Sequence, residues 1–166
     1  MGGMKQVEDE VAILTSRDIL TQVVRDLDLQ NEYRKKRNLR WEGQYPSHDL
    51  TMVYPETFLD TITRTVQLEL RVRKDDYIVK VQYGKRWNFS RHKVKDIRVP
   101  FETCAGTIAI NYDIPLEKGD KYRVVTMPML PAVDKYTRTI TASPLKKESN
   151  VIVISTSTDM PKRAID

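Results

Sequence analysis

Residues 66–83 read VQLELRVRKDDYIVKVQY, and no other stretch restricts the fold of this chain so tightly. Val66, Leu68, Leu70 and Val72 alternate with Gln67, Glu69, Arg71 and Arg73, the period of a strand with one buried and one wet face. Tyr77, Val79, Val81 and Tyr83 repeat the pattern after Lys74, Asp75 and Asp76, so the two runs predict a hairpin with a short loop. Further strands are expected around residues 97–101, 107–113 and 122–126, punctuated by Gly84, Gly106 and Gly119. Spacings this short suit antiparallel pairing, because parallel strands need long crossovers.

The flanks carry a different period. Ile19, Leu20, Val23, Val24 and Leu27 fall on one face of a helix of about three turns. Ser16 or Thr15 can cap it, and Asp18 stands in the first turn, where a negative charge suits the helix dipole. With the shorter stripe Val7, Val11 and Leu14, residues 5–29 read as a broken or continuous amphipathic helix. Downstream, MPMLPAVDKYTRTITASPL predicts a short helix over 131–136 and a strand over 137–142. The unbroken apolar run of Val151, Ile152, Val153 and Ile154 predicts a strand covered on both faces, paired with the 137–142 strand and crossed by the Ile19 helix. Asp159 and Pro161 are placed as a helix start. The expected fold class is α+β. Segments 5–50 and 127–166 form an α+β base, residues 51–126 an inserted antiparallel, sandwich-like β region, and residues 1–4 read as a cloning scar.

At 166 residues the chain suits one domain or a small base with an insert. No apolar run approaches the roughly 18 residues of a membrane helix, which predicts a soluble piece. No secretory leader is visible in residues 1–10, and Gln6 breaks the myristoylation pattern. Cys104 is the only cysteine, so an intramolecular disulfide is excluded and a packed, inert thiol is expected. The net charge of +5 permits an anionic partner without requiring one.

The sequence carries no phosphate loop, no GxSxG and no HExxH. His48 and His92 stand far apart in polar stretches, without a second ligand at metal spacing, and read as surface histidines. Asp75 and Asp76 fall in a hairpin loop, where Asp serves turn geometry. No catalytic, cofactor-binding or metal-binding residue is assigned, and no cofactor is expected. Two basic runs remain. NEYRKKRNLRWEGQYPSHD, residues 31–49, reads as a solvated loop with five cations between Arg34 and Arg40. KRWNFSRHKVK, residues 85–95, reads as a lysine-protected sheet edge whose Lys85, Arg86, Arg91 and Lys93 form a candidate anion-facing surface.

Three segments together resemble a known family: VEDEVAILTSRDILTQVVRDLDL, AVDKYTRTITASPLKKESNVIVISTSTDMPKRAID, and between them FETCAGTIAI. The first and second are similar to the opening helices and the return segment of the Wzz-type chain-length determinants. The third is similar to the β-rich stretch of the longer members, which are joined to a tyrosine autokinase and act in capsule or exopolysaccharide export. The resemblance implies a non-catalytic periplasmic piece of a bacterial inner-membrane polysaccharide co-polymerase, which regulates the chain length of capsular polysaccharide, exopolysaccharide or O-antigen. It implies membrane spans before residue 5 and beyond the Pro161 helix, with the two chain ends close together, and none of the kinase's motifs among these residues. The implied partners are further copies in a ring-like homo-oligomer, the membrane polymerase or exporter, and the glycan. Arg17 and Arg25, on the polar side of the first helix, become candidates for the subunit contact, and the piece alone is expected to be a monomer or weak oligomer. The alternative is a basic β-rich module that binds nucleic acid or another polyanion.

Overall fold

The computed structural model describes residues 2–145 and 151–157. Helices α1 (Gly2–Leu14) and α2 (Arg17–Asp26) are followed by strands β1 (Asn31–Arg37), β2 (Arg40–Gln44) and β3 (Thr51–Val53) and the short helix α3 (Phe58–Thr61). Strands β4 (Val66–Val72), β5 (Tyr77–Tyr83), β6 (Phe89–Val94), β7 (Phe101–Thr103), β8 (Gly106–Asn111) and β9 (Lys121–Thr126) come next. Helix α4 (Met129–Thr139) and strands β10 (Ile140–Pro144) and β11 (Ile152–Thr156) complete the order. The fold is α+β with antiparallel sheets. Two compact units result: Gln30–Pro128, and the segments on either side of it taken together. The expected boundary at residue 50 therefore lies after Leu29 instead, because β1 and β2 belong to the large sheet of the central unit.

In the flanking unit the first helical segment is broken. Ser16 leaves helical geometry (φ −65°, ψ 149°) and its side chain accepts a bond from the Ile19 N–H, which starts α2. The buried stripe of α2 is Leu20 and Val24, and it packs against α4, where Ala132 and Val133 are buried. Ile19 stays exposed, so α2 is matched to a helix and not to the strands as its pattern suggested; α1 and α4 are the helices that touch β10. Helix α4 runs through Thr137 to Thr139, so the strand expected from residue 137 begins at Ile140. β10 pairs with β11 in a two-stranded antiparallel ribbon, Ala142 opposite Ile154. β11 is not covered on both faces: Val153 and Ile154 are exposed. The helix expected at Pro161 and the position of Asp166 relative to Lys5 lie outside the described residues.

The central unit is built on a six-stranded antiparallel sheet of order β2-β1-β9-β4-β5-β6. The alternation read in the sequence settles its faces: in β4, Val66, Leu68, Leu70 and Val72 are buried and the residues between them exposed. A smaller sheet, β3-β8-β7, contributes Met52, Ile108 and Ile110 to the same apolar cluster as Leu68, Val81 and Val124. Leu50 and Ile97 close it. Burial of each such side chain favours folding by about 1.5–3 kcal/mol relative to exposure. Ile97 lies in a turn and not in the strand expected over 97–101; it is fully buried, and its carbonyl accepts from the Ile110 N–H at 2.7 Å.

The run 31–49, expected as a loop, forms a hairpin over residues 31–44, and only 45–49 stay irregular. β1 pairs with both β2 and β9, and Tyr33 is buried, its hydroxyl accepting from the Met52 N–H. Asn38 (φ 45°) and Leu39 (φ 69°) make the connection between Arg37 and Arg40. Two positive φ values in a two-residue loop are the requirement of a type I′ turn. Leucine in the second position is the reason the turn is not legible, since that conformation favours glycine.

Candidate anion-binding face

The outward face of the large sheet is set by register. Arg34 of β1 lies opposite Arg123 of β9, Arg123 opposite Glu69 of β4, Glu69 opposite Lys80 of β5, and Lys80 opposite Arg91 of β6. In the neighbouring row Lys121 lies opposite Arg71, and Lys36 opposite Trp41. The rows line a shallow groove of about 500 Å³ that collects seven cationic side chains and one carboxylate, Glu69.

Arg123 is fixed on both sides. Its Nη2 and Nε donate to the same Glu69 oxygen at 2.6 and 3.1 Å, and its guanidinium sits 4.3 Å from the centroid of the Trp41 ring. Arg73, also on the groove wall, reaches Asp76 at 3.6 Å. The other cations are differently placed: among the described residues Arg71, Lys80, Arg91 and Lys121 have no carboxylate within ion-pair distance. Arg71 faces Lys121 and Lys80 faces Arg91 across adjacent strands, and like charges directly opposite each other destabilise a sheet. These two like-charged pairs therefore do not serve the stability of the sheet.

On the opposite face of β1, Lys35 joins a half-buried polar cluster. Its Nζ donates to Asp49 at 3.0 Å and to Asp120 at 2.8 Å, and the Tyr122 hydroxyl lies 2.9 Å from an oxygen of each of the same two carboxylates, with one proton to share between them. Burial opposes ionisation of Asp49, but the bonds from Lys35 and Tyr122 outweigh it and hold the carboxyl below its ordinary range. Burial likewise disfavours the Lys35 charge, and its partners reverse the effect and raise it above the usual ammonium range. The Tyr122 phenol is pushed up, chiefly by burial. These groups satisfy one another, so the cluster is a clip between β1, β9 and the 45–50 segment and not a free site.

The residues singled out in the sequence scatter. Arg91 enters the groove; Lys93 is paired with Asp76 at 3.2 Å; Lys85 and Arg86 lie in the exposed turn before β6, with the Lys85 ammonium 5.1 Å from the Trp87 ring. β6 is an edge strand. Arg17 and Arg25 belong to the flanking unit, where Arg17 is held by Asp134 at 2.5 Å and Arg25 stands in the last turn of α2. The histidines are half-buried and not surface groups. His48 stacks on Tyr33 and bonds the Leu50 carbonyl at 2.7 Å, while His92 turns its ring to Phe101 with Nε2 buried. The Cys104 thiol donates to the Val81 carbonyl at 3.3 Å, a packing role.

Sequence reasoning placed Lys36 in a solvated loop and Arg71 on a wet strand face, and singled out none of Lys80, Lys121 and Arg123. A signal existed. Arg34 and Lys36, Arg71 and Arg73, Arg91 and Lys93, and Lys121 and Arg123 each repeat a cation at spacing two, which puts both members of a pair on one sheet face. No protein-family model matches the sequence, and no curated protein matches it. No described helix is long and apolar enough to cross a membrane.

Proposed function

We propose that this chain is a non-catalytic domain of a Wzz-type polysaccharide co-polymerase, the periplasmic part of a bacterial inner-membrane protein that regulates the chain length and export of capsular polysaccharide, exopolysaccharide or O-antigen. The observation that carries the reading is the two-unit organisation, in which the segments on both sides of Gln30–Pro128 fold into one α+β unit and the β-rich unit is an insertion within it. That organisation agrees with the resemblance of the two flanks to the family's opening and return segments. The flanking unit also exposes Ile13, Leu14, Leu130, Val153 and Ile154, which suits contact with further copies of the chain. A two-stranded ribbon is marginal alone and gains from such a neighbour. In the full-length protein the contacts act together, because tethering in one membrane raises the effective concentration of neighbouring copies.

The test is genetic. Removal of the gene should change the modal length or the exported amount of a surface glycan, and the full-length protein should restore it. An unaltered glycan profile on removal would defeat the proposal.

A further inference from the structure

We propose that the outward face of the large sheet is a binding site for an acidic polysaccharide, whose carboxylates settle among Arg71, Lys80, Arg91 and Lys121. The choice of a glycan among polyanions rests on the reading that the domain serves polysaccharide assembly, whereas the site itself rests on the arrangement of charge. Four cations without carboxylate partners among the described residues stand on a concave face, two of them in like-charged register with the other two. An arriving anion relieves both repulsions at once.

The cations are spread over β9, β4, β5 and β6, so they do not converge on one point as donors to a single small anion would. Adjacent strands lie about 4.8 Å apart, which makes the row a series of contacts for an extended chain crossing the strands. Each exposed contact is weak, and several along one chain add. Trp41 offers little to a nucleic-acid base, because the Arg123 guanidinium lies over its ring. Glu69 is the one carboxylate among the groove residues, pinned by Arg123 and placed opposite Lys80. It repels the ligand's carboxylates and limits affinity.

The whole 166-residue chain, titrated with oligogalacturonate, a neutral glucan and single-stranded DNA at low and high salt, tests the site. Oligogalacturonate should bind at low salt and lose affinity as salt screens the contacts, and the glucan should not bind. Arg71→Gln combined with Lys121→Gln should weaken binding by about three- to tenfold, and Glu69→Gln should strengthen it about two- to fivefold, the range expected when exposed charges are removed. Circular dichroism checks that each variant is folded. Absence of oligogalacturonate binding, equal binding by the charge-depleted double variant, or tighter binding of DNA would each overturn the site. Such a result leaves the glycan-length test of the domain's function to stand or fall separately.

Discussion

Arg71→Gln should make the protein more stable while making it a poorer ligand-binding surface. Arg71 faces Lys121 in register, and neither has a carboxylate partner among the described residues. Two unit charges about 6 Å apart in a water-like dielectric repel by about 0.7 kcal/mol, and physiological salt removes about half of that. The figure agrees with the roughly 0.2–1 kcal/mol attached to cross-strand pairs. Glutamine deletes the charge and keeps the start of the aliphatic stem, so little packing is lost. For a unit of this size 1 kcal/mol moves Tm by about 4–8 °C, which gives an expected rise of about 1–5 °C at low salt. Thermal unfolding followed by circular dichroism at two salt concentrations reads both the sign and its cause. A rise that shrinks in high salt supports the electrostatic account. A lower Tm for Arg71→Gln at low salt, or a gain indifferent to salt, would refute it.

Other predictions concern the elements that hold the central unit together. Lys35→Met takes from Asp49 and Asp120 the cation they share and should cost about 1.5–3 kcal/mol in urea unfolding. Because the folded-state pKa of Asp49 is lowered, its contribution is present above the unfolded value of about 3.9 and is lost as pH falls through the folded value. Asp49→Asn should therefore flatten the acid limb of the stability profile, and an unchanged limb would contradict the assignment. Tyr77 is pushed up to about 12, first by its hydrogen bond with Tyr112 and then by burial, so its stabilising effect holds below about pH 10 and fades as pH rises through 12. Tyr112→Phe should bring the Tyr77 step of an ultraviolet phenol titration down. Gly84→Ala meets both a φ of +67° and Arg64 Cδ at 2.6 Å from the new Cβ, and should destabilise by about 1–2 kcal/mol in thermal unfolding; an unchanged Tm would show that the turn relaxes freely.

What was legible follows from where period and burial agree. β4 is evident because it buries one face and wets the other over seven residues, and β5 because Val79 and Val81 are buried on either side of an exposed Lys80. β1 is hidden because its inward positions are held by Tyr33, whose hydroxyl bonds backbone, and by Lys35, whose charge is neutralised by two carboxylates distant in sequence. A strand that buries a lysine gives no apolar alternation. β11 misled in the opposite direction: its apolar residues are real, but they are not matched by a covering layer among the described residues.

The binding face was harder to see than the strands that carry it, for a reason that bears on function. Each outward cation of β4 or β9, taken alone, is an ordinary wet-face residue, and nothing in one strand says which charge will lie opposite. Antiparallel pairing at fixed register turns four separate repeats of spacing two, together with the lone Lys80, into two rows, in which Arg71 meets Lys121 and Lys80 meets Arg91. A sheet selected for stability alone would alternate signs across all these positions, as it does only around Glu69, which meets Arg123 on one side and Lys80 on the other. Glu69→Gln separates the two demands. It removes the favourable pair with Arg123, both partners being over a third exposed, and should lower stability by no more than about 0.5 kcal/mol. The same change deletes the groove's one carboxylate and should tighten oligogalacturonate binding. Stability and affinity moving in opposite directions at Glu69, and again at Arg71 with both signs reversed, is the pattern that a face organised around a ligand's charge must give; movement in the same direction at both positions would mean that the charges serve the sheet.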